Sequence, residues 1–342
     1  MDDTRVPVGT EEAGAAVAEA QRARPLRAYL PVVVTAVVLG ALPLLIGDSR
    51  YFLSLAVLML VFAGYGVAFN IIFGNTEQLF LCLGALAGIS GYTAAILGNR
   101  LQLPMLLGVL IGALLSALLG AAFSWVSVRR RLGVIFVGII TLSFSLVFAN
   151  VLLGQRDLTG GETGLIIESA PGVVAGRGVG AYYVFLALLT VFLACHRWLQ
   201  RSHVGWAFRA LRDDEVAAEL AGIDVARFKL IAGVIGSLMV GLVGGLYAYY
   251  EGFISPSTYA VGQVDIPVLV MLAFGGIGSL LGPVVGAAVF AVVDELLRPL
   301  SSIRTTVYGA ILLVLFLGFR HGVIPALTGL GRRVRNRRTP RT

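Results

Sequence analysis

The sequence predicts an all-α polytopic membrane protein with about ten transmembrane helices (eight to ten) and both termini in the cytosol. Of the 342 residues, 58% are hydrophobic and only 13% are charged, about half the charged fraction of an average soluble domain. Apolar runs recur along the chain at the ~20 residues that a helix needs to cross a bilayer. The net charge of +7 comes mainly from arginines at the chain ends and in two loops, which is typical of membrane orientation rather than nucleic-acid binding.

The candidate spans are apolar segments separated by short polar connections. The stretch 266–297 is too long for one crossing, and the run GGIGSLLGP at 275–283 divides it into a short span and a fuller one. An eight-span protein with a re-entrant 266–297 segment keeps the same parity, so that alternative stays open. The predicted spans are 29–46, 51–73, 79–98, 104–127, 132–154, 181–199, 230–250, two within 266–297, and about 304–319.

Arginine clusters predict one orientation for these spans, because cytosolic loops carry an excess of Lys and Arg. We therefore divide the chain into a flexible cytosolic tail at 1–28, a transmembrane domain at 29–320 and a basic cytosolic tail at 321–342. The clusters are Arg22, Arg24 and Arg27 before the first span, Arg129, Arg130 and Arg131 after the fourth, the loop 200–229 after the sixth, and GRRVRNRRTPRT after the last.

The loop 200–229, called here the charged island, carries many charges of both signs and must therefore lie in water. Apolar residues interleave with its charges at near-helical spacing. Asp213 or Asp214 can cap a helix start, and Gly222 can end the helix. The island therefore predicts a short cytosolic amphipathic helix, a shape suited to docking on a soluble partner. A plain solvated connection is the alternative.

The chain lacks the motifs of a self-contained enzyme or nucleotide site. Its single lysine, Lys229, lies between Phe228 and Leu230, so the Gly-Lys-[Ser/Thr] core of a P-loop is absent. Cys82 and Cys195 have no metal-ligand spacing. We expect no catalytic residue, no metal site and no cofactor bound by this chain.

Three blocks of sequence carry a resemblance to a known family. They are GWAFRALRDDEVAAELAGIDVARFKLIAGVIGSLMVGLVGGLYAYYEGFISPSTY, VRRRLGVIFVGIITLSFS with the later LTGGETG, and VLVMLAFGGIGSLLGPVVGAAV followed by YGAILLVLF. Over roughly 50–320, these blocks resemble the M-type permease subunit of branched-chain amino acid ABC importers (LivM-like). The resemblance implies a permease in the bacterial cell (inner) membrane. Its implied partners are a second permease subunit (LivH-like), two ATPase subunits that use ATP (LivG- and LivF-like), and an extracytoplasmic substrate-binding protein.

The same resemblance assigns the charged island to ATPase coupling. The general importer form has Glu directly before two alanines. Here Val216 holds that place and Glu215 lies one residue earlier, so which acidic residue of the island contacts the ATPase stays open. The small side chains of the two alanines are expected to allow close approach by the partner. The family pattern R-A-x-R-x-x-x-x-A-A-x-x-x-G falls on Arg209, Ala210, Arg212, Ala217, Ala218 and Gly222.

Two family motifs are altered in this chain. After the second span the family has a Gly-Gln-x-Ser-x-Gly-His run, of which GNTEQLFLCLGALAG keeps Gln78 and Gly84 but not the Ser or His. The C-terminal F-R-P-x-G-L run appears as FRHGVI, with His321 in place of Pro. Branched-chain amino acids are the implied substrate, and urea, short amides or aromatic acids stay open as alternatives.

Uncharged polar residues at predicted membrane depth are candidates for a translocation pathway. Thr141 and Ser145 are four residues apart and share one helical face. The alternative is that each polar side chain simply hydrogen-bonds a neighbouring helix. The candidates are Asn70, Thr141, Ser143, Ser145 and Asn150.

Other residues of the apolar region bear on the choice between function classes. A stand-alone secondary carrier or channel would carry ionisable residues at mid-membrane, and a membrane-embedded enzyme would need converging titratable groups. Glu77, Glu251 and Asp265 instead lie near predicted interfaces, where we expect them to face water. The glycines that interrupt 266–297 predict a hinge or a tight turn. They are Gly275, Gly276, Gly278 and Gly282.

Overall fold

The computed structural model describes residues 24–47, 49–168 and 178–297, which form a bundle of helices with one two-stranded antiparallel sheet. In that sheet β1 (Leu165–Ile166) pairs with β2 (Phe253–Ile254). The helices are α1 (Arg24–Ile46), α2 (Arg50–Thr76), α3 (Leu83–Leu101), α4 (Met105–Arg129), α5 (Val134–Gly154), α6 (Arg156–Thr159), α7 (Val179–Arg201), α8 (His203–Asp213), α9 (Glu215–Leu220), α10 (Val225–Glu251), α11 (Asp265–Gly275) and α12 (Gly282–Leu297).

The predicted class, an all-α membrane protein, is confirmed. Within the described residues, five helices (α2, α4, α5, α7 and α10) are long and apolar enough to cross a membrane. Each predicted span up to 250 coincides with a helix, although α1 already begins at Arg24. The count of ten spans and the orientation stay predictions. The last span at 304–319, the basic tail at 321–342 and most of the N-terminal tail lie outside the described residues.

The stretch 266–297 is divided where the glycines predict it. The helices α11 and α12 are separated by residues 276–281, called here the second break. The α11 helix has 11 residues, or ~16 Å at the usual rise, about half of a bilayer core. The α12 helix then runs antiparallel to α2, with Pro283 beside Gly66 and the Phe290 ring 6.0 Å from that of Phe62.

The centre of the bundle is α10, which packs against α4 and α3 through small residues. A Cβ on Gly233 would overlap the Ser124 hydroxyl of α4, and one on Gly120 would overlap Ser237 of α10. Contacts this close let helix backbones approach where lipid supplies no hydrophobic driving force between them. The closely packed helices therefore form a frame that fixes the positions of the non-helical segments between them.

A first break separates α2 from α3. Residues 77–82 are not helical, and Glu77 at its start has a left-handed backbone with φ of 55°. Irregular backbone at membrane depth is stable only where protein groups satisfy its N–H and C=O groups. Both breaks are therefore places where the bundle must supply hydrogen bonds.

Candidate functional site

The charged island folds as two helices rather than the single helix that the sequence predicts. Between α8 and α9, Asp214 is extended and its carboxylate accepts hydrogen bonds from the backbone N–H groups of Val216 and Ala217 at 2.9 and 3.0 Å. This cap starts a new helix and ends the preceding one, as the capping preference of Asp predicts. Gly222 follows α9 with φ of +85°, so its predicted role as terminator is confirmed.

The inner face of the island packs on the start of α10. Ala218 is 3% exposed and forms a small apolar cluster with Leu211 and Val225. Its expected place facing a partner is therefore wrong, because this alanine is buried within the chain itself. The neighbouring Ala217 is exposed.

The outer face of the island presents apolar side chains to solvent. Val216 is 67% exposed and Leu220 is 85% exposed, one turn apart on α9. Trp206 on α8 is 69% exposed, and the Arg209 guanidinium lies over its ring at 4.7 Å from the centroid. A surface of this composition is typical of a protein contact rather than of a solvated connection.

Glu215 is engaged inside the chain. Its two carboxylate oxygens accept hydrogen bonds from Lys229 Nζ at 2.6 and 2.7 Å, and the lysine side chain is only 9% exposed. The Lys229 carbonyl in turn accepts a hydrogen bond from Gln78 Nε2 at 2.9 Å. Glu215 and Lys229 therefore connect α9 to the first break, a link that spacing alone did not reveal although Lys229 is the single lysine of the sequence.

Arg212 reaches the second break. Its Nη2 atom donates to the Ile277 carbonyl at 3.4 Å, and its guanidinium packs over Gly278, where any Cβ would overlap it. From the other side, Asn70 donates to the Ser279 carbonyl at 2.8 Å and accepts from the Gly278 N–H at 2.7 Å. The glycines of this region therefore form a tight turn held between α2 and the island; whether the turn also acts as a hinge stays a prediction.

Two of the candidate pathway residues hold the first break. Thr141 accepts a hydrogen bond from the Leu81 N–H at 2.9 Å, and Ser145 donates to the Leu81 carbonyl at 3.0 Å. Their predicted common face is confirmed, since both side chains of α5 meet the same residue. In contrast, Ser143 and Asn150 are exposed on the outside of α5, where each donates to a carbonyl of its own helix.

Asp265 is 1% exposed, so its expected place facing water is wrong. Its carboxylate accepts hydrogen bonds from the backbone N–H groups of Leu83 and Gly84, which are free of helical partners at the start of α3. A negative group at this positive end of the helix dipole is stabilising. The signal in the sequence is an acid near the start of a short apolar helix, a pattern that does not distinguish a buried helix cap from a residue at the membrane interface.

A cavity of about 980 Å³ lies beside this capped helix start. It is partly open and is lined by α2, α11, α12, Tyr247 of α10 and the segment 257–264 between β2 and α11. Most of its wall is apolar, including Val61, Phe62 and Val270. Among the lining residues that the structure describes, Asp294 on α12 is the one charged side chain.

Comparison with known proteins decides the class of this chain. The family described as "Branched-chain amino acid transport system / permease component" matches residues 51–319, a range that includes the island, both breaks and the cavity. The chain belongs to this permease family. It is a multi-pass membrane transport component of the ABC-importer class and not an enzyme.

The relatives of this permease transport different kinds of molecule, according to their names. It is 25% identical over 303 residues to the high-affinity branched-chain amino acid transport system permease protein LivM of Escherichia coli, covering 81% of this chain and 71% of LivM. It is 24% identical over 285 residues to the fructose import permease protein FrcC of Rhizobium meliloti, covering 79% and 78%.

A shorter match, 30% identical over 112 residues, relates the permease to LivH of Salmonella typhimurium, covering 33% and 34% of the two chains. No known solved structure gave a significant match.

Proposed function

We propose that this permease imports branched-chain or related apolar amino acids across the bacterial inner membrane. The observation that carries the proposal is the family match over 51–319, together with similarity to LivM along most of the chain. The expected assembly contains a second, LivH-like permease subunit, two LivG- and LivF-like ATPase subunits and an extracytoplasmic binding protein. Since the chain has no P-loop lysine, energy must come from the ATPase partners.

The outer face of α9 is the proposed ATPase contact. Val216, Ala217 and Leu220 are exposed there, and burying two large aliphatic side chains is worth about 1.5–3 kcal/mol each. Glu215 is bound by Lys229 at 2.6 Å and its side chain is 49% exposed, so which acid of this region meets the ATPase stays open. Arg209, stacked on the exposed Trp206 of α8, offers a further candidate contact on the same island.

The cavity supports a substrate with an apolar side chain, because its wall offers mainly aliphatic and aromatic surface. Such a wall is compatible with branched-chain amino acids and with aromatic acids, so the choice between them rests on the similarity to LivM.

Transport by the reconstituted complex tests the proposal. The permease should be co-expressed with its partner subunits, placed in proteoliposomes with binding protein, and supplied with L-leucine, fructose, urea or benzoate. We expect leucine uptake that requires ATP, and no ATP hydrolysis by the permease chain alone. Leucine accumulation by vesicles that hold only this chain and a proton or sodium gradient would contradict the proposal and support a secondary carrier. ATP-driven uptake of fructose but not leucine would keep the importer class and overturn the substrate.

A further inference from the structure

The charged island contacts both helix breaks, each through a different charged side chain. Arg212 on α8 binds the Ile277 carbonyl and covers Gly278 in the second break. Lys229 at the start of α10 binds Glu215 of α9, while its backbone carbonyl accepts a hydrogen bond from Gln78 in the first break. The two links leave different helices of the island and end in different interruptions of the membrane bundle.

The two links meet the same helix from two sides. Gln78 lies just beyond the end of α2, and it also donates to the Thr76 hydroxyl at 2.9 Å. Asn70, just over two turns before Gln78 on α2, binds the second break that Arg212 also contacts. Any displacement of α8 and α9 therefore acts on both breaks and on the end of α2 between them.

These contacts differ from ordinary surface ion pairs of the island. Arg131 also reaches the island, where it lies 3.7 Å from Glu219, but the two side chains are 87% and 61% exposed. Exposed pairs of this kind contribute little. The Lys229 side chain is 9% exposed, although that of Glu215 is 49% exposed, and the exposed Arg212 side chain lies so close to Gly278 that a Cβ there would overlap its guanidinium. The island therefore contacts the first break through a largely buried lysine and the second break through a guanidinium that packs on its backbone.

We propose that Arg212 and the Lys229–Glu215 pair are positioning residues that transmit movement of the docked island to the two helix breaks. This inference rests on the proposed function, because it requires an ATPase that moves the island. In the family pattern Arg212 belongs to the docking helix; here its guanidinium acts on the permease's own backbone. Loss of either link should leave the outer face of α9 able to bind the ATPase but disconnected from the membrane bundle.

The ratio of ATP hydrolysed to substrate transported tests this role in the full reconstituted complex. Arg212→Ala and Glu215→Gln should retain co-purification with the ATPase subunits and binding-protein-stimulated ATP hydrolysis. Their leucine uptake should fall about tenfold, since a hydrogen bond to a charged group changes an equilibrium by at least that factor. The ratio should therefore rise about tenfold. Exchange of the pair, Glu215→Lys with Lys229→Glu, should restore part of the uptake.

Arg131→Ala is the matched control, because it removes an arginine contact to the island that reaches neither break. Its ratio should equal that of the wild type. A second variant, Gly278→Ala, displaces the guanidinium from the second break and also strains the backbone there, because Gly278 has φ of +76°. Both substitutions remove the same contact between Arg212 and Gly278. The double variant, Arg212→Ala with Gly278→Ala, should therefore take up leucine no more slowly than the slower of the two single variants.

Each contrary result would overturn a specific part of the proposal. If Arg212→Ala and Arg131→Ala give the same ratio, Arg212 transmits nothing. If Arg212→Ala loses the ATPase subunits on purification, its role is docking. Additive losses in the double variant would show that the Gly278 contact is not the one that matters. If the wild-type complex shows no ATP-driven uptake of any substrate offered, the proposed function fails instead, and that failure is visible before any variant is made.

Discussion

At the residue scale, buried polar side chains of this permease serve its irregular backbone. Asn70 pairs with one N–H and one carbonyl of the second break, and Thr141 with Ser145 does the same for the first break. Asp265 caps the start of α3. An unpaired peptide group costs several kcal/mol in hydrocarbon. These residues therefore make two interrupted helices possible inside an apolar bundle.

Replacing Asn70 by leucine tests this role. The Asn70→Leu side chain is of similar size but leaves the Gly278 N–H and the Ser279 carbonyl without their partner. We expect a loss of about 1–3 kcal/mol for each unpaired group and a lower midpoint of thermal unfolding in detergent. Asn150→Leu is the control, because Asn150 is exposed and bonds only its own helix. Equal midpoints for the two variants would contradict the role of Asn70.

Asp265 gives a second test at this scale. Asp265→Ala removes the acceptor for the Leu83 and Gly84 N–H groups, and loss of a helix cap costs about 0.5–2 kcal/mol. Asp265→Asn keeps one acceptor oxygen and should lose less. Thermal unfolding of both variants checks the order. An Ala variant as stable as the Asn variant would show that the cap contributes nothing.

At the element scale, glycines decide how closely the segment after β2 can approach α3. A Cβ on Gly84 would overlap the Tyr259 carbonyl, and one on Gly91 would overlap the Tyr259 hydroxyl. The Tyr259 ring therefore lies on a glycine stripe of α3 that places Asp265 at the helix start. Gly84 is a residue that this chain shares with the family's motif after the second span. Its close contact with the Tyr259 carbonyl is a physical reason for glycine at this position.

A single methyl group tests the glycine stripe. Gly84→Ala places a Cβ against the backbone of Tyr259, which cannot move as a side chain can. We expect a loss of ~1–3 kcal/mol from overpacking, measured as a lower unfolding midpoint. Gly154→Ala has open space around it and should be neutral or slightly stabilising. If Gly84→Ala is equally neutral, the close approach is not needed.

The two alanines of α9 provide a second element-scale prediction. Ala217→Arg changes an exposed position of the proposed ATPase contact, so the permease should fold normally but co-purify poorly with the ATPase. Ala218→Arg forces a charge into the cluster with Leu211 and Val225 and should lower protein yield as well. Ala226→Arg, exposed on α10, is the control for added charge. Normal co-purification of Ala217→Arg would place the contact elsewhere.

At the scale of the whole molecule, the bundle brings interruptions from distant parts of the sequence to one side of the charged island. The first break lies at 77–82 and the second at 276–281, yet both contact residues of 212–229. Discontinuous helices of this kind are where transport proteins commonly build their pathways. The arrangement requires the island and both breaks to lie towards the same membrane face.

Cysteine labelling tests that orientation. In a background of Cys82→Ala and Cys195→Ala, single cysteines at Ala221 and Thr163 occupy exposed positions on opposite sides of the predicted topology. An impermeant thiol reagent added outside intact cells should label position 163 and leave position 221 unlabelled until the membrane is opened. The reverse result would invert the topology.

Much of this permease could be predicted from local pattern. Apolar length determined the helices up to 250, since each span must satisfy its backbone internally. The charges and turn residues of 200–229 predicted a helical island that begins at Asp213 or Asp214 and ends at Gly222, and the structure selects Asp214. The blocks of family sequence identified the class before any contact was known. All of these depend on residues near one another in the chain.

Tertiary structure decided what the polar and charged side chains touch. Glu215 with Lys229, Arg212 with Ile277, and Asn70 with Ser279 join positions up to 209 residues apart. The periodicity of the sequence does not predict such pairs, because they depend on how α2, α10, α11 and α12 pack against one another. For the same reason Asp265, expected to face water, and Ala218, expected to face a partner, are both buried. Burial belongs to the packed bundle, whereas helix formation and membrane residence belong to the local sequence.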